Sequence, residues 1–126
     1  MILVDTSIWI DYFKGMESAR PLGALIETNS ICTNDLILAE LVPAIRVRKE
    51  NELARLLESI ERMPIDIEWR EIVAFQIYNL KNGINHVGIP DLILAQNAIQ
   101  NDVQLCTKDK HFHLMKRHVR LRIFEL

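Results

Sequence analysis

Positions 2–4 are apolar without interruption and stop at Asp5, so the chain opens on a short buried strand. Asp5-Thr6-Ser7 then supplies residue types that cap a helix N-terminus. Ile8, Trp9, Ile10, Tyr12 and Phe13 make the following helix, over residues 7–14, apolar nearly all round. Such a helix is buried on several sides or keeps a face for a partner. A second helix is predicted over 18–27 and a short strand over 30–33, after which Asn34-Asp35 opens a third helix reaching 48. Pro43 lies inside that third pattern and predicts a kink or break. Residues 50–62 place Leu53, Leu56, Leu57 and Ile60 at helical spacing between charges, an amphipathic helix that Pro64 ends. A brief strand over 65–67 precedes a helix over 68–82 built on Ile72, Phe75, Ile77 and Leu80. Asn82-Gly83 and Gly88 bracket a loop, and Pro90 suits the first turn of a helix running to 101. A strand over 103–106, a short helix capped by Asp109 and reaching about 118, and a last strand over 119–124 complete the pattern. Strands alternating with helices predict an α/β domain with a mostly parallel sheet.

The 126 residues suit one domain, 1–126, and too few remain for a second core. With 49% hydrophobic and 25% charged residues, four Gly and four Pro, fibrous, low-complexity and disordered classes are excluded. No apolar run exceeds four residues, against about twenty for a membrane span, and no signal-peptide pattern opens the chain. A soluble protein with no membrane partner is expected. Cys32 and Cys106 sit in separate apolar segments without a C-x-x-C pair, which reads as two buried thiols in a reducing cytoplasm. The string Asp-Leu-Ile-Leu-Ala occurs at 35–39 and at 91–95, but nothing around the two copies matches and no repeat is inferred.

Acids change the picture. Ligands of open α/β sheets bind beyond the carboxyl ends of the strands, and Asp5 and Asp109 fall there. Asp91 follows Pro90 in a helix first turn, where the helix dipole favours a carboxylate. Glu40 lies one turn from the same edge, among Leu36, Ile37, Leu38, Ala39, Leu41 and Val42, which leave a charge little solvent-facing arc. Each acid alone reads as a cap or a solvated side chain. Four converging on one edge would repel one another unless a divalent cation neutralised them, and oxygen-only donors suit Mg²⁺ or Mn²⁺.

Four segments in order, Val4-Asp5-Thr6-Ser7-Ile8-Trp9-Ile10, Ala39-Glu40-Leu41, Pro90-Asp91-Leu92-Ile93-Leu94-Ala95 and Thr107-Lys108-Asp109-Lys110-His111-Phe112, resemble the successive motifs of PIN-domain ribonucleases. Their order, spacing and the chain length are most similar to the VapC toxins of toxin–antitoxin systems. The resemblance implies a single-domain α/β/α sandwich whose acidic pocket binds Mg²⁺ or Mn²⁺ and hydrolyses RNA phosphodiesters by metal-activated water. Carried over by motif, Asp5, Glu40, Asp91 and Asp109 are the implied metal ligands, and Ser7, with Thr107, the implied hydroxyls of the site. A homodimer and a cognate VapB-type antitoxin occupying the site groove are implied partners, with some of Trp9, Tyr12 and Phe13 expected to meet one of them.

Charge is uneven. Lys108, Lys110, Lys116, Arg117, Arg120 and Arg122 face only Asp109 and Glu125 in the last stretch of sequence, and Arg46, Arg48 and Lys49 form a second cluster. Lys108, Lys110 and Arg46 are the candidates for RNA phosphate contacts. His111, His113 and His118 lack the partners of a zinc site and read as surface residues. A haloacid-dehalogenase phosphatase would need an acid where Ser7 stands, and no receiver-domain pattern is present. The remaining alternative is a non-catalytic PIN-like module that binds RNA or protein.

Overall fold

Strands β1 (Ile2–Val4), β2 (Ile31–Thr33), β3 (Glu61–Arg62) and β4 (Gln104–Cys106) form one sheet in the order β3-β2-β1-β4 in the computed structural model, which describes residues 1–126. Every pairing is parallel, with Leu3 opposite Cys32 on one side and Leu105 on the other. Parallel strands need crossover connections, and helices supply them: α1 (Thr6–Phe13), α2 (Leu22–Glu27), α3 (Asp35–Val47), α4 (Asn51–Ser59), α5 (Trp69–Lys81), α6 (Ile89–Gln100) and α7 (Lys110–Met115). The helices flank the sheet in the α/β/α arrangement, so β1 and β2 are buried throughout. Leu3, Val4, Trp9, Leu22, Ile37, Leu57, Leu92 and Leu105 are the wholly buried centre of the core.

Four local expectations differ from the structure. The helix expected over 18–27 is a single 3-10 turn, Glu17–Ala19, followed by α2, because Pro21 stands at the join without an N–H to donate. By contrast α3 runs through Pro43 without a break. The carbonyl that Pro43 leaves without its helical donor belongs to Ala39, an exposed residue, where solvent can take the donor's place. The strand expected at 65–67 is displaced to Glu61–Arg62, where the amphipathic helix has already ended at Ser59. Both β3 side chains are exposed, so no apolar pattern marks it; Met63 N–H donates to Thr33 O at 2.8 Å, the continuation of the ladder. The last strand, expected over 119–124, is reduced to one parallel bridge between Leu105 and Ile123, flanked by Leu105 N–H to Arg122 O and Phe124 N–H to Leu105 O.

A buried polar chain locks α3 to α6. Asn34 caps α3, its Oδ1 accepting from Ile37 N at 2.9 Å, while its Nδ2 donates to Asn97 Oδ1 at 2.9 Å. Asn97 in turn donates to Pro64 O at 2.8 Å. The side-chain amides of Asn34 and Asn97 are thereby paired at both oxygen and nitrogen.

Candidate active site

Parallel pairing brings the carboxyl ends of β1, β2 and β4 to one edge, and the segments leaving them set out the acids. Asp5 leaves the end of β1, pinned by its N–H to Cys106 O at 2.9 Å, and caps α1 through Thr6 N–H to Oδ1 at 2.7 Å. Asp109 follows β4 and caps α7, its Oδ1 accepting from His111 N at 2.9 Å. Asp91 stands in the first turn of α6 behind Pro90. Glu40 lies on α3, the helix that follows β2. Asp5, Glu40, Asp91, Asp109, Ser7 and Lys108, with Thr6 and Ile10, line one open pocket.

Hydroxyls hold Asp5. Thr107 donates to Oδ2 at 2.7 Å and Ser7, more loosely, to the same oxygen at 3.4 Å. Thr107 Oγ1 also accepts from Asp109 N at 3.1 Å, so one threonine fixes two of the acids against each other. The Asp109 carboxylate meets the imidazole of His111, Nδ1 at 3.1 Å.

The acids are under electrostatic strain. Burial, and then the neighbouring Asp109 charge, push the Asp5 carboxyl above the usual carboxylate range against the pull of Thr107 and Thr6. Asp91 is raised by burial, Asp109 and Asp5, with the Gly88 backbone and His111 opposing. Glu40 is raised by partial burial, Asp5 and Asp91. The Thr6 hydroxyl lies on the Glu40 side and offsets part of this, although no partner stands within hydrogen-bonding distance of its buried Oγ1. The oxygen donors are those that Mg²⁺ and Mn²⁺ favour. No three His, Cys, Asp or Glu side chains converge into a ready-made coordination shell, so a divalent ion would have to draw the carboxylates inward.

The pocket gathers Asp5, Ser7, Glu40, Asp91, Lys108 and Asp109, but not every candidate. Arg46 sits on another face, ion-paired with Glu58 and lining a different hollow. Lys110, the first residue of α7, is exposed and outside the pocket lining. Glu40 is exposed at the pocket wall, contrary to the expectation of an enclosed charge, because Ala39, Pro43 and Ala44 are exposed on α3 as well. Trp9 is wholly buried against Tyr12 and Phe13, hence core; Tyr12 and Phe13 are half-buried. Asp11, His111 and Thr6 are the polar neighbours that sequence pattern did not single out. His111 had one usable signal, its position two residues beyond a capping aspartate.

Beside the acidic pocket runs a groove of about 320 Å³ lined by Ile10, Phe13, Leu41, Ala44, Ile45 and Leu53, with Lys14, Arg48, Glu40 and Glu50 at its edges. Ile10 and Glu40 line both depressions, which places the two side by side.

Comparison with known proteins agrees with this architecture. The chain is 26% identical over 119 residues to a ribonuclease of Mycobacterium tuberculosis, VapC10, covering 93% of this chain and 90% of that one. Among solved structures, VapBC2 of Rickettsia felis bound to a promoter DNA fragment superposes with a TM-score of 0.74 at 22% identity, covering 98% of both chains. FitAcB of Neisseria gonorrhoeae gives a TM-score of 0.70 at 20% identity, covering 98% of this chain and 96% of that one. The model of the PIN domain family matches residues 2–117, and the chain belongs to that family.

Proposed function

We propose that this protein is a Mg²⁺- or Mn²⁺-dependent endoribonuclease and the toxin of a VapBC-type toxin–antitoxin pair. The observation that carries the reading is the convergence of Asp5, Glu40, Asp91 and Asp109, from four separate segments, on one open pocket. Three of them have raised carboxyl pKa values. A cluster of mutually repelling carboxylates costs stability that a scaffold has no reason to bear, and perturbed acids in a cleft are a mark of function. The similarity to a ribonuclease supports the choice of RNA.

Asp5, Glu40, Asp91 and Asp109 would hold the ion, which when bound supplies Lewis acidity and a water of lowered pKa for phosphodiester hydrolysis. The chain's own residues prepare the site for it. Thr107 and Ser7 orient Asp5 by donating to Oδ2, and Thr107 sets Asp109 by accepting its N–H. Lys108 places an ammonium on the pocket wall, and Lys110, exposed at the start of α7 outside the pocket lining, offers a second nearby in the chain, both suited to RNA phosphates.

An antitoxin is supported by the apolar groove that adjoins the acidic pocket at Ile10 and Glu40, since a chain laid in it would lie beside the carboxylates. The VapBC and FitAB assemblies of the structural neighbours point the same way. A second copy of the chain is supported by α5, whose Trp69, Val73, Ile77 and Leu80 share one side and are 57%, 58%, 48% and 62% exposed. The accessible surface of 7596 Å² exceeds the roughly 6,900 Å² expected of a 14.6 kDa monomer by nearly one partner's share, about 800 Å², of an ordinary interface.

The test is incubation of the purified protein with total RNA from its source and Mg²⁺ or Mn²⁺, beside an EDTA control and Asp5→Asn. Discrete fragments absent from both controls are expected. Intact RNA with a protein that binds no divalent ion would replace the enzyme by a non-catalytic binding module.

A further inference from the structure

Asp11 is an ionisable group that the proposed chemistry does not use. It lies on α1 with its side chain only 11% exposed, and its Oδ2 accepts from Lys108 Nζ at 2.8 Å. Lys108, 57% exposed, forms the wall between two cavities. On one side lies the acidic pocket with Asp5, Glu40, Asp91 and Asp109; on the other lies a cavity lined by Asp11, His113 and Glu125. Asp11 faces only the second.

An ammonium on a flexible four-carbon stem at the mouth of a carboxylate cluster has an obvious alternative, which is to fold into the cluster and neutralise it. It does not do so. Its ion pair is with Asp11, and its Nζ makes no salt bridge to Asp5, Glu40, Asp91 or Asp109. Its hydrogen bond runs away from the pocket, to a carboxylate whose burial leaves it no other charged partner. Two of the three Nζ protons remain for a phosphate.

We propose that Asp11 is a positioning residue: it anchors Lys108 at the rim and keeps the ammonium off the carboxylates, so that they stay open to a divalent cation while Nζ faces incoming phosphate. The inference rests on the metal reading of the acidic pocket. It separates Asp11 from a mere staple between α1 and the segment after β4, because a staple has no effect that passes through the freed lysine.

The experiment is Mn²⁺ titration by calorimetry of the full-length wild type, Asp11→Asn, Lys108→Ala and the double variant, together with a crystal structure of Asp11→Asn. The single Asp11 variant should weaken Mn²⁺ binding about two- to fivefold, the scale of one partly exposed ion pair turned against the metal. Lys108→Ala should bind as well as wild type or better, and the double variant should match Lys108→Ala within about twofold. A defect of Asp11→Asn that persists without Lys108, or no defect at all, overturns the proposal. If the wild type itself binds no Mn²⁺, the metal reading of the pocket falls, and the structure still decides the anchor. Nζ in salt-bridge contact with Asp5, Asp91 or Asp109 in Asp11→Asn upholds it, and Nζ left in place or turned to solvent overturns it. Should Asp11→Asn not fold, Asp11→Ala replaces it in every arm with the same expected outcomes.

Discussion

Replacing Asn34 by alanine removes one side chain from two places at once. Its Oδ1 caps α3 through Ile37 N–H, and loss of an asparagine cap costs about 1 kcal/mol. Its Nδ2 pairs with Asn97 Oδ1, which is buried and keeps no other donor, and an orphaned buried acceptor costs about 1–3 kcal/mol. The expected loss is therefore about 2–4 kcal/mol, a large share of the roughly 5–15 kcal/mol that holds a domain of this size. Asn97→Ala should cost a similar amount, because it orphans Asn34 Nδ2 and Pro64 O. The double variant should cost less than the sum of the singles by about 1 kcal/mol or more, since the severed bond is counted in each single. Urea unfolding followed by circular dichroism measures all four proteins, and the midpoint should move with the slope unchanged. An Asn34→Ala loss below about 1 kcal/mol, or additivity within about 0.5 kcal/mol, would refute the claim that this chain of amides ties α3 to α6. The consequence for the site is direct, because α3 carries Glu40 and α6 carries Asp91.

Asp5→Asn should stabilise the metal-free fold by about 1 kcal/mol at pH 7, the scale of relieving one unfavourable charge. The sign follows from the raised carboxyl: its stabilising contribution is full below the unfolded carboxylate pKa and is lost as pH rises through the higher folded value, so the gain from Asn should vanish near pH 4. Thermal unfolding in EDTA at both pH values checks it, and a variant less stable than wild type at pH 7 would sink the account. Burial pushes the Cys32 and Cys106 thiols up to about 11, so only about 0.1% is thiolate at pH 8 and Ellman's reagent should label them no faster than the protein unfolds. Rapid labelling of the folded protein would contradict their burial. Val73→Asp with Ile77→Asp should convert a dimer to monomer in sedimentation while leaving the fold intact, whereas an unchanged mass would remove α5 from the interface.

The parts of the fold that were legible in the sequence are those where one physical signal dominates. The apolar runs of β1 and β2, the Asn34 cap and Pro90 at the start of α6 carry their own punctuation. β3 was not legible because both of its residues face solvent and its pairing depends on where β2 lies. The apolar Ile65 and Ile67, which looked more like a strand, are half-buried without joining the ladder. At the site, Asp5 and Asp109 stood out by their places after strands and Asp91 by its place in a helix first turn, whereas Glu40, in the second turn of α3, drew notice through apolar neighbours that do not in fact enclose it. Asp11 was not legible, because a single acid in an apolar helix takes its meaning from Lys108, 97 residues away.

The same edge explains both the stability and the chemistry. Asp5 and Asp109 are helix caps, and Asp91 sits where a helix dipole favours it, so each acid taken alone strengthens the element it begins. Burial raises the carboxyls of Asp5 and Asp91, and the Asp109 charge, with that of Asp5 on Asp91, raises them further, so what these two give to their helices is partly cancelled by their surroundings. Local structure therefore fixes where the carboxylates stand, and the parallel sheet, by bringing its strand ends to one side, makes them a cluster. A divalent cation would reverse the sign of the cluster's contribution, stabilising the folded state by mass action in proportion to its affinity. Binding and folding would thus be coupled through the same few side chains. A rise in unfolding temperature with Mg²⁺ or Mn²⁺ that disappears in Asp91→Asn is the expected expression of that coupling, and an equal rise in the variant would place the ion elsewhere.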